Sequence, residues 1–152
     1  MGTQEKRKKW LVIERMNRRM LGEPEMDCPK PAENLELNTK NRNKAIEEDY
    51  IKYGPLNVDE PGVYWKDLAN HWKTTEEAAK KSLCGNCVAF DISERMKECM
   101  PGPISDDDGQ LGYCWMHHFK CHSARTCYTW AKGGPITKDQ VSYEWQEKNQ
   151  NK

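Results

Sequence analysis

Residues 84–127 read CGNCVAFDISERMKECMPGPISDDDGQLGYCWMHHFKCHSARTC, and these 44 positions hold six of the seven cysteines of a 152-residue chain. The spacing is C-x2-C-x11-C-x14-C for Cys84, Cys87, Cys99 and Cys114, followed by x6 to Cys121 and x5 to Cys127. A C-x2-C turn aims two sulfurs to the same side, so Cys84 and Cys87 can share one metal centre. The third and fourth cysteines arrive singly from separate loops. Four ligands spread in that way suit an iron–sulfur cube, whose corners point in four directions, better than one tetrahedral ion.

The composition explains why such a centre would matter. Hydrophobic residues make up 36% of the chain and charged residues 32%, with two phenylalanines; the mean hydropathy is -1.03. Little apolar surface is left to offset the entropy of ordering the backbone. The expected fold is therefore a small irregular α+β or mainly coil domain, with short helices built around a metal cluster and an extended N-terminal helix and arm.

Outward from the cysteines, the expected organisation has four parts. Residues 1–22 form an amphipathic basic helix, with Trp10, Ile13, Met16, Met20 and Leu21 at helical spacing and Gly22 and Pro24 as a stop. Residues 23–62, with Pro24, Pro29, Pro31, Pro55 and Pro61 and a polar run through 38–44, form an extended arm held by neighbouring chains. Residues 63–132 are the cysteine-rich domain. It contains a helix carrying Tyr64, Trp65, Leu68 and Trp72, a second capped by Thr74 with Glu77, and a third running from Asp91 and Glu94 toward Cys99. Residues 133–152 form a C-terminal helix and tail, with Thr137 and Gln140 at its start.

The pieces CGNC at 84–87, ECMPG at 98–102 and GYCW at 112–115 resemble the high-potential iron–sulfur proteins. That family holds a four-iron, four-sulfur cubane by a C-x2-C pair, a third cysteine, and a fourth in a glycine-aromatic-cysteine context. The resemblance spans about residues 80–120 and implies Cys84, Cys87, Cys99 and Cys114 as ligands of a [4Fe–4S] cluster. It also implies aromatic packing by Tyr113, Trp115 and Phe90, with Tyr64, Trp65 or Trp72. Members are small exported electron carriers. Here about 80 residues precede the motif, and Cys121 and Cys127 are additional.

Zinc is the alternative cofactor, using Cys84 and Cys87 with Cys114, His117, Cys121 or His122. Cys121 and Cys127 are expected to be a separate local feature, either a short-loop disulfide or two small buried residues; His118 lies beside them. Cys28 reads as an inert thiol on the arm. The triplet Asp106 to Asp108 lacks the remaining spacing of a calcium loop and reads as a solvated turn.

These features point away from an enzyme and toward a structural subunit of a large assembly. Its partners would be neighbouring subunits, met through the N-terminal helix and arm. The overall look is similar to a tailed-bacteriophage structural protein, which implies a virion location (capsid, neck or tail) after synthesis in the host cytoplasm. The alternatives are a cytoplasmic electron-transfer or redox-sensing protein, and a zinc-binding module that meets nucleic acid through the basic residues Lys6 to Lys9, Arg15, Arg18 and Arg19. A formal net charge of zero weighs against that last reading. No stretch approaches the roughly 20 apolar residues of a membrane span, and no export signal is expected.

Overall fold

The computed structural model describes residues 27–60 and 62–149. The expected N-terminal helix lies outside these residues. The described chain runs through α1 (Lys30–Glu33), α2 (Leu35–Glu47), α3 (Gly62–Trp72), α4 (Glu76–Lys81), a 3-10 turn at Cys84–Asn86, β1 (Phe90–Asp91), α5 (Glu94–Cys99), β2 (Ser105–Asp106), β3 (Gly109–Cys114), β4 (Phe119–His122) and α6 (Asp139–Asn149). This is a small mixed α/β fold of short helices around an open antiparallel sheet. Its central strand is β3, which pairs with β1, β2 and β4. No helix among the described residues is long and apolar enough to cross a membrane.

Register places the chemistry. Phe90 pairs with Cys114 across β1 and β3, and Gly112 pairs with Cys121 across β3 and β4. Side chains alternate along a strand, so Cys114, two positions after Gly112, lies on the same face as Cys121 and diagonal to it. Gly112 itself leaves room for a neighbour: a Cβ there would stand 2.6 Å from the Phe90 ring and 3.0 Å from the Asp91 carbonyl oxygen.

Where an extended arm was expected over 23–62, much of the segment is helical and packed. Asn34 caps α2 by accepting from the Leu37 N–H at 3.0 Å, and Ala32, Ala45, Ile51 and Tyr53 are buried in the main core. The Asn38 side chain accepts the Lys120 N–H at 2.6 Å, and the Asn41 amide donates to the His118 carbonyl at 2.6 Å. Polar residues that look like linker in the sequence therefore serve as partners for backbone groups of β4 and the turn before it.

The helix starts also shift by short distances. Thr75, not Thr74, caps α4 by accepting from Ala78 N–H, because Lys73 takes a left-handed φ of 56° and the Thr74 N–H closes α3 on the Ala69 carbonyl. Ser93 caps α5, while Asp91 belongs to β1. Trp65, Leu68, Ala69 and Ala79 form a second, smaller core, covered by Tyr64, Trp72, Leu83 and Tyr128.

A buried polar network ties α6 to the sheet. Asp91 is wholly buried and accepts from Trp115 Nε1 at 2.9 Å, Ser93 N–H at 2.9 Å and the Ser142 hydroxyl. Arg95 is equally buried; it donates to Ser142 Oγ at 3.0 Å and Gln146 Oε1 at 2.7 Å and lies 4.2 Å from the Tyr143 ring centroid.

Candidate metal centre

Two loops, 84–90 and 123–134, are stitched together by backbone hydrogen bonds. Cys84 N–H donates to the Arg125 carbonyl at 2.7 Å, Gly85 N–H to Ser123 at 3.0 Å, Val88 N–H to Ala131 at 2.8 Å, and Gly134 N–H to Asn86 at 3.2 Å. Trp130 adds its indole N–H, shared between the Leu83 carbonyl at 2.9 Å and Asn86 Oδ1 at 2.8 Å. The stitching sets the 84–87 turn beside the loop that carries Cys127, and the Trp115 N–H, donating to the Ala89 carbonyl at 3.1 Å, brings in the end of β3. Gly134 permits this approach, since a Cβ there would overlap the Cys87 carbonyl oxygen. Gly134→Ala is expected to cost about 1–3 kcal/mol through forced loop displacement, measured as a lower urea midpoint. An unchanged midpoint would show that the loops do not need this contact.

Five free thiols share this core. Cys84, Cys87, Cys114, Cys121 and Cys127 are all unpaired and buried, between 2% and 8% exposed. Cys121 is within hydrogen-bonding reach of both Cys84 and Cys114, and Cys84 and Cys114 also act electrostatically on Cys87 and Cys127. The two cysteines expected to stand apart, Cys121 and Cys127, thus belong to the group and do not bond to each other. Burial raises the Cys87 thiol and pushes Cys127 up to about 12. Burial likewise raises Cys121, whereas Cys114 is lowered, first by its hydrogen bond from Cys121 and then by backbone N–H groups.

Cys99, the third ligand implied by the family resemblance, is elsewhere: its sulfur is bonded to Cys28. This corrects the reading of Cys28 as an inert thiol and removes Cys99 from the gathered thiols, since a sulfur held in a disulfide is not a thiolate ligand. One disulfide and five free thiols account for the odd count of seven.

The histidines weighed as zinc ligands are engaged in other contacts. His122 Nε2 lies 2.9 Å from Asp106 Oδ2, and its Nδ1 accepts the Ala124 N–H at 3.0 Å. His117 Nε2 is 2.6 Å from Thr129 Oγ1, which is 3.2 Å from the Cys127 sulfur. Burial lowers His117 to about 4, so its ring is neutral near pH 7. Asp106 is the turn residue expected of the acidic loop; Oδ1 accepts the N–H groups of Asp108 at 2.8 Å and Gly109 at 2.9 Å. Among the described residues, no three His, Cys, Asp or Glu side chains are gathered as a single metal ion would require.

Of the aromatics implied by the resemblance, Phe90, Tyr113 and Trp115 share the thiols' core, while Tyr64, Trp65 and Trp72 belong to the second one. No family model matches the chain, nor does any curated protein or solved structure. The centre therefore has to be judged on its donors. Five buried thiols that share a core with Phe90, Tyr113 and Trp115 are a sulfur-only donor set, the donor chemistry that iron–sulfur clusters use.

Proposed function

We propose that this chain is a structural subunit of a large assembly and that a [4Fe–4S] cluster, held by thiolates of the gathered cysteines, staples its small domain. The carrying observation is that five buried, unpaired thiols from four separate segments share one core, with Cys121 within reach of Cys84 and Cys114. When bound, the cluster supplies iron–thiolate bonds that join the 84–87 turn, the β3–β4 hairpin and the 127 loop. That energy acts as folding energy, in a sheet where β1 and β2 are two residues each.

For the assembly, Leu35 and Ile46 are 71% and 41% exposed. They lie eleven residues apart, close to three helical turns, so both occupy one side of α2. Tyr50, just past the helix, is 61% exposed. Such outward apolar side chains offer contact to a neighbouring subunit, and the assembly we propose is a bacteriophage virion.

Anaerobically purified chain should contain iron and acid-labile sulfide in equal amounts with broad visible absorption; zinc without sulfide would replace this reading. In a native extract the chain should sediment with large particles, and persistence as a monomer would remove the assembly role.

A further inference from the structure

A cavity of about 620 Å³ lies between three walls, a volume within the usual range of small-molecule sites. Lys30 of α1 and Leu37, Asn41 and Lys44 of α2 belong to the first wall. Met116 and His117, in the turn between β3 and β4, belong to the second, and Asn149 at the end of α6 to the third. None of the five free thiols lines it. The walls are tied together. Asn41 joins the first to the second by donating to the His118 carbonyl at 2.6 Å. From α6, Gln146 Nε2 donates to the Asp27 carbonyl at 2.6 Å, and the Cys28–Cys99 disulfide anchors the chain just before α1. A cavity braced in this way keeps its shape without a ligand, which lowers the cost of binding one.

The lining is one-sided in charge. Lys30 and Lys44 are exposed, and neither has an ion-pair partner among the described residues. Among those residues no Asp or Glu lines the cavity. In a chain whose formal net charge is zero, this is a local excess of positive charge, and it favours an anion. Leu37, Ile51 and Met116 supply apolar surface, and Tyr113 and Trp115 supply the edge of two almost fully buried rings. Hydrogen-bond acceptors are also left over. Asn41 and Asn149 spend their amide nitrogens on the carbonyls of His118 and Trp145, at 2.6 and 2.7 Å, so each side-chain oxygen remains to accept from a ligand.

We infer that this cavity binds a small flat-ringed organic anion. Its acidic group meets Lys30 and Lys44, its ring lies against Leu37, Ile51 and Met116, and N–H groups on the ring donate to Asn41 and Asn149. Apolar lining with a few convergent polar groups is the general form of such sites. A lysine ammonium is a point charge that serves phosphate and carboxylate alike, so nucleoside monophosphates and aromatic carboxylic acids with a ring N–H share the required chemistry. An aliphatic acid would leave the amide oxygens unmatched. Inorganic phosphate carries the charge without the ring, and a neutral nucleoside carries the ring without the charge. The inference goes beyond the assembly role and does not depend on the cluster.

The test is isothermal titration calorimetry on the full-length chain at low salt with adenosine 5′-monophosphate, indole-3-acetate, inorganic phosphate and adenosine. At least one of the first two should bind at one per chain, about tenfold or more tighter than phosphate or adenosine; which of the two binds identifies the acidic group as phosphate or carboxylate. The double variant Lys30→Gln, Lys44→Gln should weaken that binding about tenfold, and added salt should weaken it in the wild type. Leu37→Trp, which fills the cavity, should abolish it at native circular dichroism. The two lysines are exposed, so the double variant folds as the wild type does and decides the matter should Leu37→Trp misfold. Failure of both ring anions to bind overturns the inference. So does equal binding of phosphate or of adenosine, or wild-type affinity in the lysine variant or in a folded Leu37→Trp.

Discussion

Asp91→Ala should destabilise the fold by about 3 kcal/mol or more, since each buried donor left without its acceptor costs about 1–3 kcal/mol. The carboxylate is fully buried and holds three donors, Trp115 Nε1, the Ser93 N–H and the Ser142 hydroxyl. Alanine would strand all three and remove the negative charge that supports Arg95. Burial is the main cause lowering the Arg95 guanidinium, and Tyr143 and Asp91 oppose it in that order. Arg95 cannot escape to solvent, being wholly buried under α6. With total stabilities of about 5–15 kcal/mol for domains of this kind, the loss would remove a large share. Urea unfolding followed by tryptophan fluorescence measures it. Asp91→Asn keeps the shape and should cost less; an alanine variant within about 1 kcal/mol of wild type would refute a charged, load-sharing network. Because Asp91 pairs with Tyr113 and Trp115 follows Cys114, the same variant should also loosen the thiol centre.

Replacing Cys28 and Cys99 together by serine should cost about 4 kcal/mol, because the bridge closes a long loop in the denatured chain. The sequence separation is 71 residues. The bond ties the start of α1 to the end of α5 across the main core, so its loss frees the whole segment that carries α1, α2 and α3 in the unfolded state. A matching rise in the urea m-value should accompany the lower midpoint, since an unbridged denatured chain exposes more surface. If the double variant unfolds at the wild-type midpoint, the bridge contributes nothing. If the proposed cluster is present, the variant should retain its iron; loss of iron at native circular dichroism would restore Cys99 to the ligand set.

The short helices were legible from apolar spacing in Tyr64 to Trp72 and, with the cap displaced by one residue, from the capping pattern before Glu76 to Lys81. Residues 30–47 were not, because α2 is held by Ala32, Ala45 and the Asn38 and Asn41 side chains rather than by a wide apolar stripe. Within the centre, Cys84, Cys87 and Cys114 stood out through the C-x2-C turn and the GYC context. The signal that Cys121 faces Cys114 was strand pairing through a turn in which His118 adopts a φ of 55°, at a position that no glycine marks in the sequence.

The sequence alone determined that this chain has a poor apolar supply and a concentration of sulfur, and that Cys84 and Cys87 act together, because a two-residue spacing constrains both sulfurs locally. Only the tertiary structure decided which distant cysteines join them. Cys121 and Cys127 arrive through hairpin register and loop stitching, while Cys99 is carried by α5 to Cys28. Partnership among thiols depends on where the backbone delivers each sulfur, and spacing along a chain does not encode delivery across 30 or 70 residues once sheet pairing intervenes.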